Sequence, residues 1–193
     1  MKRVFALLLT GLACSACTGN KQAHQSEAMS GDSAGCVAGG GGFLHAQLRG
    51  ALVADLDWKN GDMQCAGGPR PDGKGLRVTF AGQLPSTGGT PARRLRFIFG
   101  IDPHDVASGA AEALPTNLTV IVEGEGQIYA TRGDSNCAVE HLEQNALPGT
   151  DGRKLRVSAR GYCLGPATNV AGDARVLLPT FEFTGVADAE EPN

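Results

Sequence analysis

Aromatic side chains are scarce: one Trp, two Tyr and seven Phe make up 5% of the 193 residues. Surfaces that read sugars or single-stranded nucleic acid by stacking need several exposed rings, and this chain has few to offer. Positive charge is not in excess either. Lys and Arg number 17 against 20 Asp and Glu, a formal net charge of −3. That lacks the electrostatic footprint of a nucleic-acid binder, so no nucleic-acid partner is expected. The four histidines are His24, His45, His104 and His141, too scattered for a local zinc motif. No Gly-rich phosphate loop sits between a strand and a helix, and no cofactor is expected. After the N-terminus, no apolar run reaches the ~20 residues a membrane helix needs.

What is present begins at the N-terminus. Lys2 and Arg3 precede an uncharged stretch from Val4 to Leu12, followed by the small residues of Ala13-Cys14-Ser15-Ala16-Cys17. As a helix the apolar part covers about 15 Å, half of a ~30 Å hydrocarbon core. It therefore reads as a cleaved export signal rather than a permanent span. The end of this segment resembles the lipobox of bacterial lipoproteins, where small residues precede a cysteine that is diacylated and becomes the mature N-terminus.

Two cysteines compete for that role. The chain holds Cys14, Cys17, Cys36, Cys65, Cys137 and Cys163. Cleavage before Cys17 leaves an even set of four for two disulfides, whereas cleavage before Cys14 leaves an odd thiol in an oxidising compartment. Cys17 is preferred and Cys14 is the alternative. The resemblance implies a membrane-lipid partner through N-terminal acylation and, with Thr18 rather than Asp after Cys17, outer-membrane anchoring facing the periplasm. Loss of Lys2 and Arg3 would leave 15 basic and 20 acidic residues.

Residues 1–16 are thus expected to be a lipoprotein signal and 17–42 a flexible Gly/Ser-rich tether ending in four glycines. Residues 43–187 form the folded domain and 188–193 an acidic tail. Within the domain the hydrophobic period is two. Leu52, Ala54, Leu56 and Trp58 share one face, as do Leu76, Val78 and Phe80, then Leu95, Phe97 and Phe99. Leu118, Val120 and Val122 follow, then Leu155, Val157 and Ala159, and finally Leu177, Phe181 and Phe183; Ile128 and Val139 mark two shorter strands. Turn residues separate these runs, as in Lys59-Asn60-Gly61-Asp62 and Pro148-Gly149-Thr150-Asp151-Gly152. One-sided alternation over seven or eight strands predicts an all-β antiparallel sandwich or partly open barrel. Only 104–114 suggests a helix, weakened by Gly109. Cys137 and Cys163 lie near the ends of neighbouring strands and are paired here, which leaves Cys36 with Cys65. Four cysteines allow two other connectivities, and both stay open.

Catalytic motifs are weak. Gly31-Asp32-Ser33-Ala34-Gly35 matches the G-x-S-x-G string of α/β-hydrolases, but no strand leads in and no helix leads out. Gly133-Asp134-Ser135 resembles the opening block of another esterase family, yet the tail has no His to complete it. The overlapping Arg132-Gly133-Asp134 resembles an integrin-binding tripeptide and reads more simply as a turn. Asp55, Asp57, Asn60 and Asp62 hint at a calcium loop but miss the EF-hand positions for Gly and the bidentate Glu. Asp102-Pro103-His104-Asp105 is the best local cluster of metal-capable or acid–base groups.

The remaining signal is basic. Arg77, Arg94, Arg96, Arg156 and Arg160 all point away from the apolar side of their strands. Neighbouring strands would make them one anion-binding face, since guanidinium forks grip phosphates and carboxylates bidentately. The expectation is a cell-envelope lipoprotein with a non-catalytic binding or scaffolding domain, its partner an envelope protein or anionic envelope component. The alternative is a periplasmic hydrolase built around Asp102, His104 and Asp105.

Overall fold

The computed structural model describes residues 35–84, 91–102 and 113–189. Among them it contains twelve strands, all paired antiparallel, and no helix. They are β1 (Phe43–Gly50), β2 (Ala54–Lys59), β3 (Met63–Pro69), β4 (Leu76–Leu84), β5 (Arg93–Ile101), β6 (Leu114–Glu123), β7 (Gln127–Ala130), β8 (Cys137–Ala146), β9 (Lys154–Cys163), β10 (Ala167–Asn169), β11 (Arg175–Leu177) and β12 (Phe181–Asp188). The expected all-β antiparallel class and both preferred disulfides are present: Cys36–Cys65 and Cys137–Cys163.

The sheet folds over on itself. One layer runs β3-β4-β5-β6-β7, the other β2-β1-β12-β9-β8, and the short β10 and β11 carry the hydrogen bonding from β7 round to β1. A further rung pairs Leu114–Thr116 of β6 with Cys137–Val139 of β8. This links the layers on the other side, which makes the architecture a sandwich bordering on a barrel. At the corner where β11 meets β1, Gly50 has φ +103° and the Arg175 carbonyl presses where a Cβ would stand. Only glycine serves there.

Most of the scarce aromatics lie in the interior. Phe80, Phe97 and Phe99 of β4 and β5 are fully buried and face Phe181 and Phe183 of β12, which are equally shielded. Phe99 lies 4.8 Å from Phe181 and 5.0 Å from Phe183, and Phe80 lies 4.9 Å from Phe183. Each such ring stabilises by about 1.5–3 kcal/mol through burial, with about 0.5–1.5 kcal/mol more per ring pair. The alternation read from sequence puts these rings inside. Consequently they are withdrawn from any ligand.

The structure differs from the sequence reading in detail. β3 carries Ala66, Gly67 and Gly68, too little side chain to show a period, and β10 and β11 have three residues each. The core also extends N-terminal of Phe43: Cys36 and Val37 are buried in it. Asn60 holds that stretch, its backbone carbonyl accepting from Cys36 N and its Oδ1 from Val37 N and Gly42 N at 2.9 and 3.0 Å. Of the helix expected over 104–114, residues 104–112 lie outside the described residues, Ala113 belongs to no regular element, and Leu114 opens β6.

Candidate functional site

The outward face of the β2-β1-β12-β9-β8 layer assembles a line of charge. Because an antiparallel ladder sets residues directly opposite one another, register alone determines the neighbours. Asp57 of β2 pairs with His45 of β1, His45 with Glu182 of β12, Glu182 with Arg160 of β9, and Arg160 with His141 of β8. Five ionisable side chains thus cross five strands in one row. Gln47, Thr180 and Tyr162 lie one rung further along, beside Asp55. A shallow cavity of about 380 Å³ opens over this area, lined by His45, Gln47, Glu140, Arg160, Tyr162 and Glu182 among others.

The two ends of the row are internally satisfied. His45 Nε2 lies 2.7 Å from Asp57 Oδ1, and Lys59 Nζ donates to the same oxygen at 2.6 Å. The Lys59 hydrogen bond holds the Asp57 carboxyl below the usual carboxylate range against the opposing cost of desolvation, with the charges of Lys59 and His45 adding to it. At the other end His141 Nε2 sits 3.0 Å from Glu143. The middle is different. Among the described residues neither Arg160 nor Glu182 has a side-chain partner, although they face each other in register. Next to them a bulge between Val139 and His141 turns Glu140 into the cavity. The centre therefore offers a fork of donors, two carboxylates and the Tyr162 edge. That set can hydrogen-bond a ligand bearing both acceptors and donors.

The arginines expected to form one face are divided. Arg77, Arg94 and Arg96 lie on β4 and β5, while Arg156 and Arg160 lie on β9 of the other layer. Arg94 Nε and Arg96 Nη2 both reach Glu123, at 2.8 and 2.6 Å, so one carboxylate neutralises part of that group. Arg156 Nη2 donates to the Gly40 carbonyl at 3.1 Å. Only Arg160 of the five opens into the charged row.

The calcium-like series does not converge. Asp55 pairs with Arg49 at 2.8 Å, Asp57 with His45 and Lys59, and Asp62 accepts the Lys59 backbone N–H. No group of three or more His, Cys, Asp or Glu among the described residues is placed to hold a metal. Asp134, within both the Arg-Gly-Asp and Gly-Asp-Ser strings, is committed on both oxygens: Asn117 Nδ2 donates to Oδ1 at 2.7 Å and Arg70 to Oδ2 at 3.3 Å. Arg70 also pairs with Asp72 at 2.8 Å. Asp102 is buried at the end of β5, its N–H on the Pro115 carbonyl. His104, Asp105, His24, Cys14, Cys17 and most of the Gly31–Gly35 string lie outside the described residues.

Sequence reasoning missed Glu182, Glu140 and Tyr162. Glu182 carried a legible signal, an acid between two core phenylalanines on a strand; Glu140 did not, because its orientation comes from the bulge. Compared with known proteins, the chain matches no family model, no curated protein and no solved structure.

Proposed function

We propose that this protein is a cell-envelope lipoprotein, acylated at Cys17 and anchored in the outer membrane facing the periplasm, whose β domain binds or scaffolds another envelope component without catalysis. Two disulfides that close within the fold support an oxidising compartment, where such bonds persist. The observation that carries the binding role is the register-built row on the β2-β1-β12-β9-β8 face, with Arg160 and Glu182 unpaired at its centre. Charged side chains at a concavity without partners of their own are available to a partner that supplies the complement. Arg160 offers the fork for a phosphate or carboxylate of an anionic envelope component.

A photo-crosslinking amino acid placed at Gln47, exposed at the edge of this cavity, tests the reading in intact cells. The expected result is one captured envelope component, lost when Arg160→Glu is added. Capture that is unchanged by Arg160→Glu, or absent from Gln47 and present from the opposite β4–β5 face, refutes it. A clickable fatty acid reads the anchor independently: label is expected on the wild type and not on Cys17→Ser.

A further inference from the structure

A larger concavity, of about 820 Å³, lies beside Gly35, the first of the described residues. Gly35 and Ala38 form one wall and Leu147, Pro148 and Val186 the other, with Lys154 and Arg156 at the rim. Both walls are fixed. The Cys36–Cys65 disulfide and the Asn60 hydrogen bonds hold the first. The Leu147 N–H on Lys154 O at 2.9 Å, with Thr150 Oγ1 on Leu147 O at 2.7 Å, holds the second. The lining is mainly apolar, which water solvates poorly. Its volume falls in the range of about 300–1,000 Å³ typical of small-molecule sites.

The rim and the position of the groove select the occupant. Lys154 is engaged by Asp188 at 2.8 Å. Arg156 spends one N–H on Gly40 O and pairs with no carboxylate among the described residues, so most of its fork is left for an anion. Gly35 stands at the lip, 18 residues on from Cys17. That length spans at most about 60 Å even when extended. An anchor at Cys17 therefore confines the groove to within one chain length of the bilayer surface. We infer that this groove takes an acyl chain of a membrane phospholipid, with the lipid phosphate on Arg156. The inference rests on the lipid-anchored reading above and adds a second, non-covalent lipid site to it.

The test uses the full mature protein, lipidated in a bacterial envelope and reconstituted with vesicles of phosphatidylethanolamine and phosphatidylglycerol carrying a diazirine in the acyl chain. Irradiation followed by peptide mapping is expected to place label on the Ala146–Pro148 peptide and near Val186. Ala38→Trp fills the groove from an exposed position and should abolish that label, and Arg156→Gln should weaken it. Cys17→Ser, run in parallel, separates the two claims. Groove labelling that persists only at high lipid concentration supports both groove and anchor; identical labelling of Cys17→Ser and wild type at every lipid concentration keeps the groove and removes the anchor. Label spread evenly over the surface, or undiminished in an Ala38→Trp protein whose disulfides remain intact, overturns the groove.

Discussion

Cys137 and Cys163 stand directly opposite each other on β8 and β9, Cα atoms 3.9 Å apart, and their disulfide closes the rung that also joins β8 to β6. The second bridge, Cys36–Cys65, spans a similar loop, 29 residues against 26, but does different work in the folded state. It ties the segment before β1 to β3, the strand at the end of its layer. In the chain-entropy description each bridge stabilises by about 3–4 kcal/mol. The expected outcome for Cys137→Ala/Cys163→Ala and Cys36→Ala/Cys65→Ala is therefore a comparable loss in thermal or denaturant melts. Hydrogen exchange should tell them apart. Removing Cys36–Cys65 is expected to deprotect the Val37 and Gly42 amides below the global opening, and removing Cys137–Cys163 to leave them as they were.

Asp134 is expected to behave as a structural residue rather than as a recognition loop. Arg70, whose side chain is only 10% exposed, depends on it together with Asp72, and Asn117 uses its other oxygen. Asp134→Ala leaves both donors short of an acceptor. Charge-assisted bonds of this kind contribute about 1.5–3 kcal/mol, and a loss of that order is the expected result in denaturant titration. Asp134→Asn should recover part of it, because its carbonyl can still accept from Asn117. Wild-type stability in Asp134→Ala would show the Arg70 cluster to be ornamental.

Two surface carboxylates give the protein an acid-sensitive limb. Asp72 is held below the usual carboxylate range, first by the Lys74 backbone N–H and then by the Arg70 hydrogen bond, against a smaller cost of desolvation; Asp57 is held down chiefly by Lys59. A folded-state pKa below the unfolded value means the unfolded chain binds more protons as pH drops. The contribution is fully present above the unfolded value of about 4 and is lost as pH falls through the lowered, folded value. Melting temperatures measured from neutral pH into that acid window should decline, and the decline should be shallower in Asp72→Asn/Asp57→Asn.

How much of this was legible beforehand follows from what each residue's position depends on. The core strands were legible because residues such as Leu76, Val78 and Phe80 alternate with the polar Arg77 and Thr79, the pattern that burial of one strand face produces. The pairing of Cys137 with Cys163 was legible from the same strand neighbourhood. The candidate site was not. Whether Glu182 lies beside Arg160 depends on β12 pairing with β9 in one register, and a slip of one residue would send every side chain to the other face. Strand order likewise decided the arginines: Arg94 and Arg156 look equivalent in sequence yet belong to different layers.

Glu123 offers a direct test of how that division matters. Its carboxylate bridges Arg94 and Arg96 on the outer face of β5 and β6, leaving the cluster with less positive charge than its arginines suggest. Glu123→Gln should raise retention on phosphatidylglycerol vesicles at low salt, and added salt should reverse it by screening. Retention of the wild type equal to that of Glu123→Gln would mean that the carboxylate does not restrain these two guanidiniums.

The single tryptophan provides the sharpest probe of how the two layers meet. Trp58 of β2 is only 4% exposed, packs edge-on to Phe97 at 5.7 Å, and donates from Nε1 to the Gln83 carbonyl of β4 at 2.9 Å. The indole reaches that carbonyl only because residue 82 is glycine: a Cβ there would stand 2.9 Å from two ring atoms. Gly82→Ala must push the ring aside, which strains the Gln83 bond. Overpacking of this kind costs about 1–3 kcal/mol. Because no other tryptophan exists, emission reports the site alone. Gly82→Ala is expected to shift Trp58 emission to the red and lower the melting temperature together, while Trp58→Phe should restore space in the Gly82→Ala background. Independent, additive effects of the two substitutions would sever Trp58 from Gly82 and with it this account of how β2 is locked onto β4.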